Sequence, residues 1–272
     1  MTYLQSLILG IVQGLTEFLP VSSSAHLVLT PFLFGWEIPA EQVFPFGVLV
    51  QLGTLLAVIL YFWKDLWAII REFIDGILKG RPFEQPNARL GWYLVLATIP
   101  AGLAGLLLKD TVEGAFQSPV ATAAFLFVTA ALLVFAEWYG RRQRDLGCMN
   151  WKDALVIGAF QILSLFPGIS RSGSTIAGGM TRQLERPAAG RFSFLMSIPV
   201  MLAAGGLEVF DLADVPNLAS FLPVLLVGFL AAAVVGFLSI HWLLRFLTRR
   251  PLTIFAIYCV VFGGLNLVLA YV

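Results

Sequence analysis

Six apolar stretches, each long enough to cross a bilayer as a helix, limit what this chain can become. They are Phe44–Trp63, Leu90–Leu108, Pro119–Tyr139, Arg191–Phe210, Phe221–Leu244 and Pro251–Val272. A hydrocarbon core about 30 Å thick takes about 20 helical residues. In lipid a helix satisfies its own backbone polar groups, so these stretches predict helices. Arg191–Phe210 is the weakest of the six, because Arg191 opens it and Glu208 sits near its end. Composition agrees: 59% of the 272 residues are hydrophobic and 12% are charged, against about 25% charged in soluble domains. A soluble fold of this size has too little interior to hide so much apolar surface. The composition therefore excludes a soluble enzyme, a disordered chain and a nucleic-acid binder. The 17 Lys+Arg nearly cancel the 16 Asp+Glu, so net charge identifies no partner. Cys148 and Cys259 form neither a metal pattern nor a disulfide framework. The first residues lack a basic start and a small-residue cleavage site, and are not read as a signal peptide.

Two further apolar stretches are interrupted. Met1–Thr30 breaks at Leu19-Pro20 and continues with Ser22, Ser23, Ser24 and His26. Asp153–Met180 breaks at Pro167-Gly168 and continues with Ser170, Arg171, Ser172, Ser174 and Thr175. Non-helical backbone at membrane depth survives only inside protein or against a wet cavity. Both stretches are therefore expected to be re-entrant hairpins that enter and leave by one face. The halves also resemble each other: Gly10-Ile-Val-Gln13 precedes Phe18-Leu19-Pro20 as Gly158-Ala-Phe-Gln161 precedes Leu165-Phe166-Pro167, and a shift of 147 aligns Pro20 with Pro167 and Ser23 with Ser170. Each half then holds one hairpin and three spans. An odd number of spans inverts the second half, as in many transporters. The expected fold is an all-α polytopic membrane protein in a single membrane domain, 1–272. Its two inverted repeats cover 1–145 and 146–272.

Charge placement tests this topology. With both termini outside, the inside loops carry Lys64, Arg71, Lys79, Arg81, Arg89, Arg141, Arg142, Arg144, Lys152, Arg182, Arg186, Arg191, Arg245, Arg249 and Arg250. The outside loops carry only Lys109 among cations, with Glu37, Glu41, Asp110, Glu113, Asp211 and Asp214. That is a strong positive-inside bias. It would collapse if the hairpins were full spans, because 182–191 and 245–250 would then change sides.

Ionisable residues inside apolar segments are costly and functional by default. Here the main polar candidates are Gln13, Glu17, His26 and Arg171, all in the hairpins. Gln13 and Glu17 are four apart and share a helix face. A helix start after a proline break presents free N–H groups to an anion. The second break adds the arginine fork of Arg171, the hydroxyls of Ser170, Ser172, Ser174 and Thr175, and Gly168 for close backbone approach. The cluster reads as an oligophosphate cradle. A serine activated by His26 is the expected nucleophile, Ser23 first and Ser22 second. Glu17 would orient His26 or hold a divalent cation. Arg171 would stabilise charge on a transferring phosphoryl group. Ser24, Ser164, Ser193 and Ser197 are read as back-bonded or packing serines. His241 is read as an interfacial anchor, and Glu137, Glu185 and Glu208 as solvated ends.

These residues resemble the bacitracin-resistance type of undecaprenyl-diphosphate phosphatase. That family's Glu/Gln-x-x-x-Glu motif is met by Gln13 and Glu17, and its Pro-Val-Ser-Ser stretch ending in His by Pro20, Val21, Ser22, Ser23 and His26. Its Pro-Gly-x-Ser-Arg-Ser-x-x-Thr motif is met by Pro167, Gly168, Ser170, Arg171, Ser172 and Thr175. The resemblance implies hydrolysis of the lipid diphosphate to undecaprenyl phosphate, recycling the carrier for wall synthesis. It also implies the bacterial inner membrane, a site open to the periplasm, and a divalent cation, Mg²⁺ or Ca²⁺, near Glu17 and Gln13. Gln13 stands where many members have Glu, which leaves Glu17 the firmer ligand. Two other readings compete. An inverted-repeat transporter or flippase needs midplane charge but no nucleophile–base pair. A phosphatidic-acid-phosphatase type needs a His soon after Ser170-Arg171, and none comes before His241. The oligomeric state, monomer or homodimer, is left open.

Overall fold

A computed structural model describes residues 1–116, 118–212 and 215–271. Asp214, and the side chains of Lys109, Glu113, Glu208 and Asp211, lie outside the described part. Twelve α-helices are present among the described residues: α1 (Tyr3–Phe18), α2 (Ser23–Phe34), α3 (Ala40–Tyr61), α4 (Trp63–Leu78), α5 (Pro86–Leu107), α6 (Lys109–Phe116), α7 (Pro119–Tyr139), α8 (Trp151–Leu163), α9 (Arg171–Thr181), α10 (Arg186–Leu212), α11 (Leu218–Leu247) and α12 (Thr253–Tyr271). Six are long and apolar enough to span a bilayer: α3, α5, α7, α10, α11 and α12. They are the six expected spans, and the chain is an all-α polytopic membrane protein. The least apolar of them, α10, is the one most buried by other helices. Protein rather than lipid surrounds it, so it tolerates Ser193 and Ser197 at 0% exposure.

The interrupted stretches form hairpins. At 1.5 Å per residue α1 reaches about 24 Å and α9 only about 16 Å, short of the bilayer core. Both ends of each hairpin lie at one level. Asp153, in the first turn of α8, accepts from Arg182 Nε just after α9 at 2.8 Å. The N-terminal amine of Met1 donates to Gln42, in the first turn of α3, at 2.6 Å. Capping explains where the helices begin. Thr2 with Gln5, and Asn150 with Asp153, close capping boxes on α1 and α8. Ser22 and Ser170 cap α2 and α9, accepting from the Ala25 and Gly173 N–H groups. The two serine caps lie 148 positions apart, one more than the two prolines. Gly10 and Gly158, and Gln13 and Gln161, share that spacing of 148, so the second break sets its proline one place earlier, and Ser23 and Arg171 are equivalent first residues of their helices.

The halves interlock through small residues. Gly10 on α1 approaches α11 so closely that a Cβ there would lie 2.4 Å from the Gly228 carbonyl oxygen. Gly158 on α8 meets the Ala97 carbonyl of α5 in the same way, at 2.4 Å. Such close helix contacts replace the hydrophobic drive that lipid does not supply.

Two buried ion clusters tie the loops at one end together. Asp153, with its side chain fully buried, pairs with Arg144 at 2.7 Å and Arg182 at 2.8 Å. Burial favours its neutral form, but the arginine hydrogen bonds outweigh this and hold the carboxyl below the usual carboxylate range. Glu137 is not the solvated end expected of it. Its side chain is only 11% exposed, pairs with Arg142 at 2.6 Å and with Arg186, and accepts the Leu252 N–H. Arg191 reaches Asp65 at 2.6 Å. Loops around 65, 137–153, 182–191 and 252 therefore share one face. A helix in the expected 64–89 loop, α4, lies beside them. Its Trp63, Trp67, Ile70 and Ile74 are exposed, while Lys64, Asp65, Arg71 and Glu72 alternate with them at helical spacing. The charged stripe keeps it from reading as a span, although the pattern is that of an interfacial helix.

Candidate active site

The two breaks meet tip to tip. Ser172 Oγ donates to the Leu19 carbonyl at 3.0 Å, and the Gly168 N–H reaches Ser24 Oγ at 3.4 Å. Thr129 of α7 clamps the second break, donating to the Gly168 carbonyl and accepting from the Ser170 N–H, both at 2.9 Å. Gly168 has φ +99°, where an L side chain is strained, and its missing Cβ would lie 2.2 Å from the Thr122 carbonyl oxygen. This position needs glycine. Ser22 also has positive φ, +70°, unusual for a residue with a side chain. The starts of α2 and α9 thus converge, and helix starts carry partial positive charge.

Glu17 is the hub between them. Its Oε1 accepts from Arg171 Nη2 at 2.9 Å. Its Oε2 accepts from Ser23 Oγ at 2.6 Å and from Gln13 Nε2 at 3.0 Å. Two side chains that begin equivalent helices therefore converge on one carboxylate. Arg171 Nη1 is buried with no hydrogen-bond partner among the described residues, which leaves a cationic donor unused beside the pair. Arg171 and Glu17 are 15% and 10% exposed, so the charges face little bulk water.

His26 lies elsewhere. Its Nδ1 meets the Ser22 carbonyl at 2.7 Å and its Nε2 the Tyr258 hydroxyl at 2.7 Å, with the ring stacked on Phe262. Because a carbonyl only accepts, Nδ1 carries the proton, and Nε2 accepts from the tyrosine. Neither Ser23 nor Glu17 bonds to it, so the expected His26–serine and Glu17–His26 pairings are replaced by Ser23–Glu17 and His26–Tyr258. The hydroxyls of the second break serve mostly structure. Ser170 caps α9. Thr175 bonds the Arg171 carbonyl at 2.8 Å and Ser193 Oγ at 2.6 Å. Ser174 Oγ is buried without a partner among the described residues. Ser24, read as a packing serine, stands at the site between Ser22 and Gly168.

Two cavities adjoin. One of about 170 Å³ is lined by Glu17, Ser22, Ser23, Ser170, Arg171 and Ser164 among others. The other, about 540 Å³ and largely apolar, runs between α1, α2 and α3 past Leu9, Leu27, Val28, Phe44 and Phe46. Glu17, Ser23, Ser24 and Gln51 form their shared wall. A polar pocket at the head of an apolar slot suits a phosphorylated lipid.

A divalent cation fits this wall only in company. No cluster of three or more His, Cys, Asp or Glu side chains suited to a metal occurs among the described residues. Gln13 turns its amide nitrogen, not its oxygen, toward Glu17 at 3.0 Å, and its Oε1 is buried without a partner among the described residues. With the amide turned over, its oxygen, the Glu17 carboxylate and phosphate oxygens would be the hard donors that Mg²⁺ or Ca²⁺ takes, with much of the shell supplied by substrate.

Comparison with known proteins identifies the family. The family described as bacitracin resistance protein BacA matches residues 6–265. An undecaprenyl-diphosphatase of Myxococcus xanthus is 43% identical over 269 residues, covering 99% of this chain and 89% of its own. One of Thermomicrobium roseum is 44% identical, covering 95% of each chain. One of Methanosphaera stadtmanae is 41% identical, covering 99% of this chain and 98% of its own. With most of its length matched and the two breaks meeting at one carboxylate, the chain belongs to the bacitracin resistance protein BacA family.

Proposed function

We propose that the chain is a membrane hydrolase that converts undecaprenyl diphosphate to undecaprenyl phosphate and inorganic phosphate, recycling the carrier for cell-wall synthesis. The observation that carries this is the Ser23–Glu17–Arg171 chain at the junction of a phosphate-sized polar pocket and an apolar slot. Transport does not call for a hydroxyl held on a carboxylate.

The terminal phosphate sits against Arg171 Nη1 and the starts of α2 and α9. Ser23 Oγ attacks its phosphorus and Glu17 takes the hydroxyl proton. The bond to the bridging oxygen breaks, and undecaprenyl phosphate leaves with that oxygen. Water then cleaves the phosphoserine and releases inorganic phosphate. Arg171 stays paired to Glu17 through Nη2 while Nη1 meets the charge that develops on the phosphoryl oxygens. Ser22 is the weaker nucleophile, because its hydroxyl is spent capping α2 and bonding Ser24. His26 enters as a positioning residue, holding the Ser22 carbonyl and thus the turn that presents Ser23. Glu17 and Gln13 would hold the divalent cation against the diphosphate, where it would offset the substrate's charge.

The residue-for-residue match of capping boxes, serine caps and glycine contacts supports the inverted-repeat reading. The ion clusters that gather the basic loops on one face support their cytoplasmic placement, with termini and site opening toward the periplasm of a bacterial inner membrane. The test is phosphate release from a C55 isoprenyl diphosphate by the purified protein in detergent, with Mg²⁺, with Ca²⁺ and with EDTA. Turnover supports the reading. Lipid binding without phosphate release would replace it with a carrier or flippase.

A further inference from the structure

The middle of α3 carries one polar side chain whose presence the chemistry above does not use. Between Val43 and Leu60 this helix offers only Gln51 and Thr54 as side chains able to hydrogen-bond. Thr54 is satisfied by the Gln51 carbonyl at 2.8 Å. The Gln51 side-chain amide has no hydrogen-bond partner among the described residues, yet it faces both cavities. A polar side chain at membrane depth that faces a cavity rather than a protein partner is a candidate ligand contact, with cavity water in place of the ligand in the free protein. The helix also packs closely there: a Cβ on Gly53 would lie 2.4 Å from the Phe229 carbonyl oxygen of α11.

We propose that Gln51 is a substrate-binding residue that donates from its amide to the inner phosphate, the one that stays on the polyprenyl chain. This rests on the phosphatase reading above. A lipid with its chain in the apolar slot and its terminal phosphate at Arg171 must lay its inner phosphate across the shared wall. Of the four side chains there, Glu17 is anionic, Ser23 is bonded to Glu17, and Ser24 is engaged with Ser22 and Gly168. Gln51 alone has two unused N–H donors. A neutral donor suits a phosphate that must also depart with the product, since charge-assisted bonds hold more strongly.

The test compares wild type with Gln51→Leu and Gln51→Glu in detergent. Gln51→Leu should raise KM for the polyprenyl diphosphate about tenfold, the scale of one hydrogen bond to a charged group. It should leave kcat within about twofold, as expected for a contact made equally in ground and transition states. Inhibition by a polyprenyl monophosphate should weaken by the same factor, and inhibition by inorganic phosphate should not change. Gln51→Glu, of the same size, should weaken the lipid ligands further by repulsion. Unchanged KM and unchanged monophosphate inhibition in a folded variant would overturn the proposal, as would a fall in kcat alone. Should Gln51→Leu not fold, Gln51→Glu decides by the same readouts. A wild type that binds polyprenyl monophosphate but releases no phosphate would defeat the hydrolase reading only. Monophosphate affinity of the variants would then judge Gln51.

Discussion

Glu17→Gln separates the catalytic use of the hub from its structural use. The substitution keeps the side chain's size but removes the charge that Arg171 faces at 2.9 Å and the acceptor that Ser23 uses at 2.6 Å. Removing one partner of a buried pair commonly costs 3–5 kcal/mol. Arg171 is 15% exposed and borders a cavity that admits water, so the expected loss is smaller, about 2 kcal/mol. Loss of a proton acceptor on the attacking hydroxyl should lower kcat by about 10²–10⁴. The assays are phosphate release from a polyprenyl diphosphate and thermal unfolding in the same detergent. An Arg171→Gln variant and the double variant complete a cycle. If the two charges chiefly stabilise each other, the double variant should be no less stable than either single one. Activity should be lost in all three. Glu17→Gln turning over at more than about a tenth of the wild-type rate would refute Glu17 as the proton acceptor.

Four further outcomes follow from the geometry. Ser23→Ala should lose at least about a hundredfold in turnover, whereas Ser22→Ala should chiefly cost about 1 kcal/mol of cap stability; equal activity losses would remove Ser23 from its privileged place. His26→Asn, whose amide nitrogen lies near the Nδ1 position and can still donate to the Ser22 carbonyl, should keep more activity than His26→Ala, and equal abolition in folded protein would mean that the imidazole transfers a proton. Gly168→Ala should destabilise by about 3 kcal/mol or more, because a Cβ meets backbone at 2.2 Å and φ is +99°; a melting temperature near wild type would contradict this. The carboxyl of Asp153 is held below its unfolded pKa, so its contribution is present at neutral pH and is lost as pH falls through the folded value. Asp153→Asn should therefore melt lower than wild type at pH 7, and the gap should close at acid pH; a gap independent of pH would argue against it.

Much of the fold was legible because charge is scarce in this chain. With 12% charged residues, each misplaced cation would be conspicuous, so the loop arginines alone separated spans from hairpins. The structure agrees where it can be compared, with Asp153 and Arg182 bonded across the two ends of one hairpin. Residue type also marked Glu17 and Arg171, since neither has an inexpensive place in lipid. Not every partner was legible. Glu137 looked like a solvated helix end because its arginine, Arg186, lies 49 positions away. His26 looked like the base for a serine three residues before it, yet its Nε2 is held by Tyr258, 232 positions away. Sequence proximity on a helix favours neighbours that share a face, and the break at Pro20 removes that constraint where it would be needed.

The same break explains why a carboxylate rather than the histidine faces the serine. On an unbroken helix Glu17 and Ser23 would be six residues apart, about 9 Å along the axis and on different faces. The turn after Leu19, closed by Ser22 at φ +70°, folds Ser23 back onto Glu17 and starts a new helix at that residue. The second break does the same for Arg171, which stands at the equivalent first position of α9. Two broken helices thus bring three groups together that no single helix could present. The cost is a strained Ser22 and an obligatory Gly168, both inside a membrane segment. Straightening either hairpin would relieve that strain but would part Glu17 from Ser23 or from Arg171, so the two breaks and the contacts at Glu17 stand or fall together.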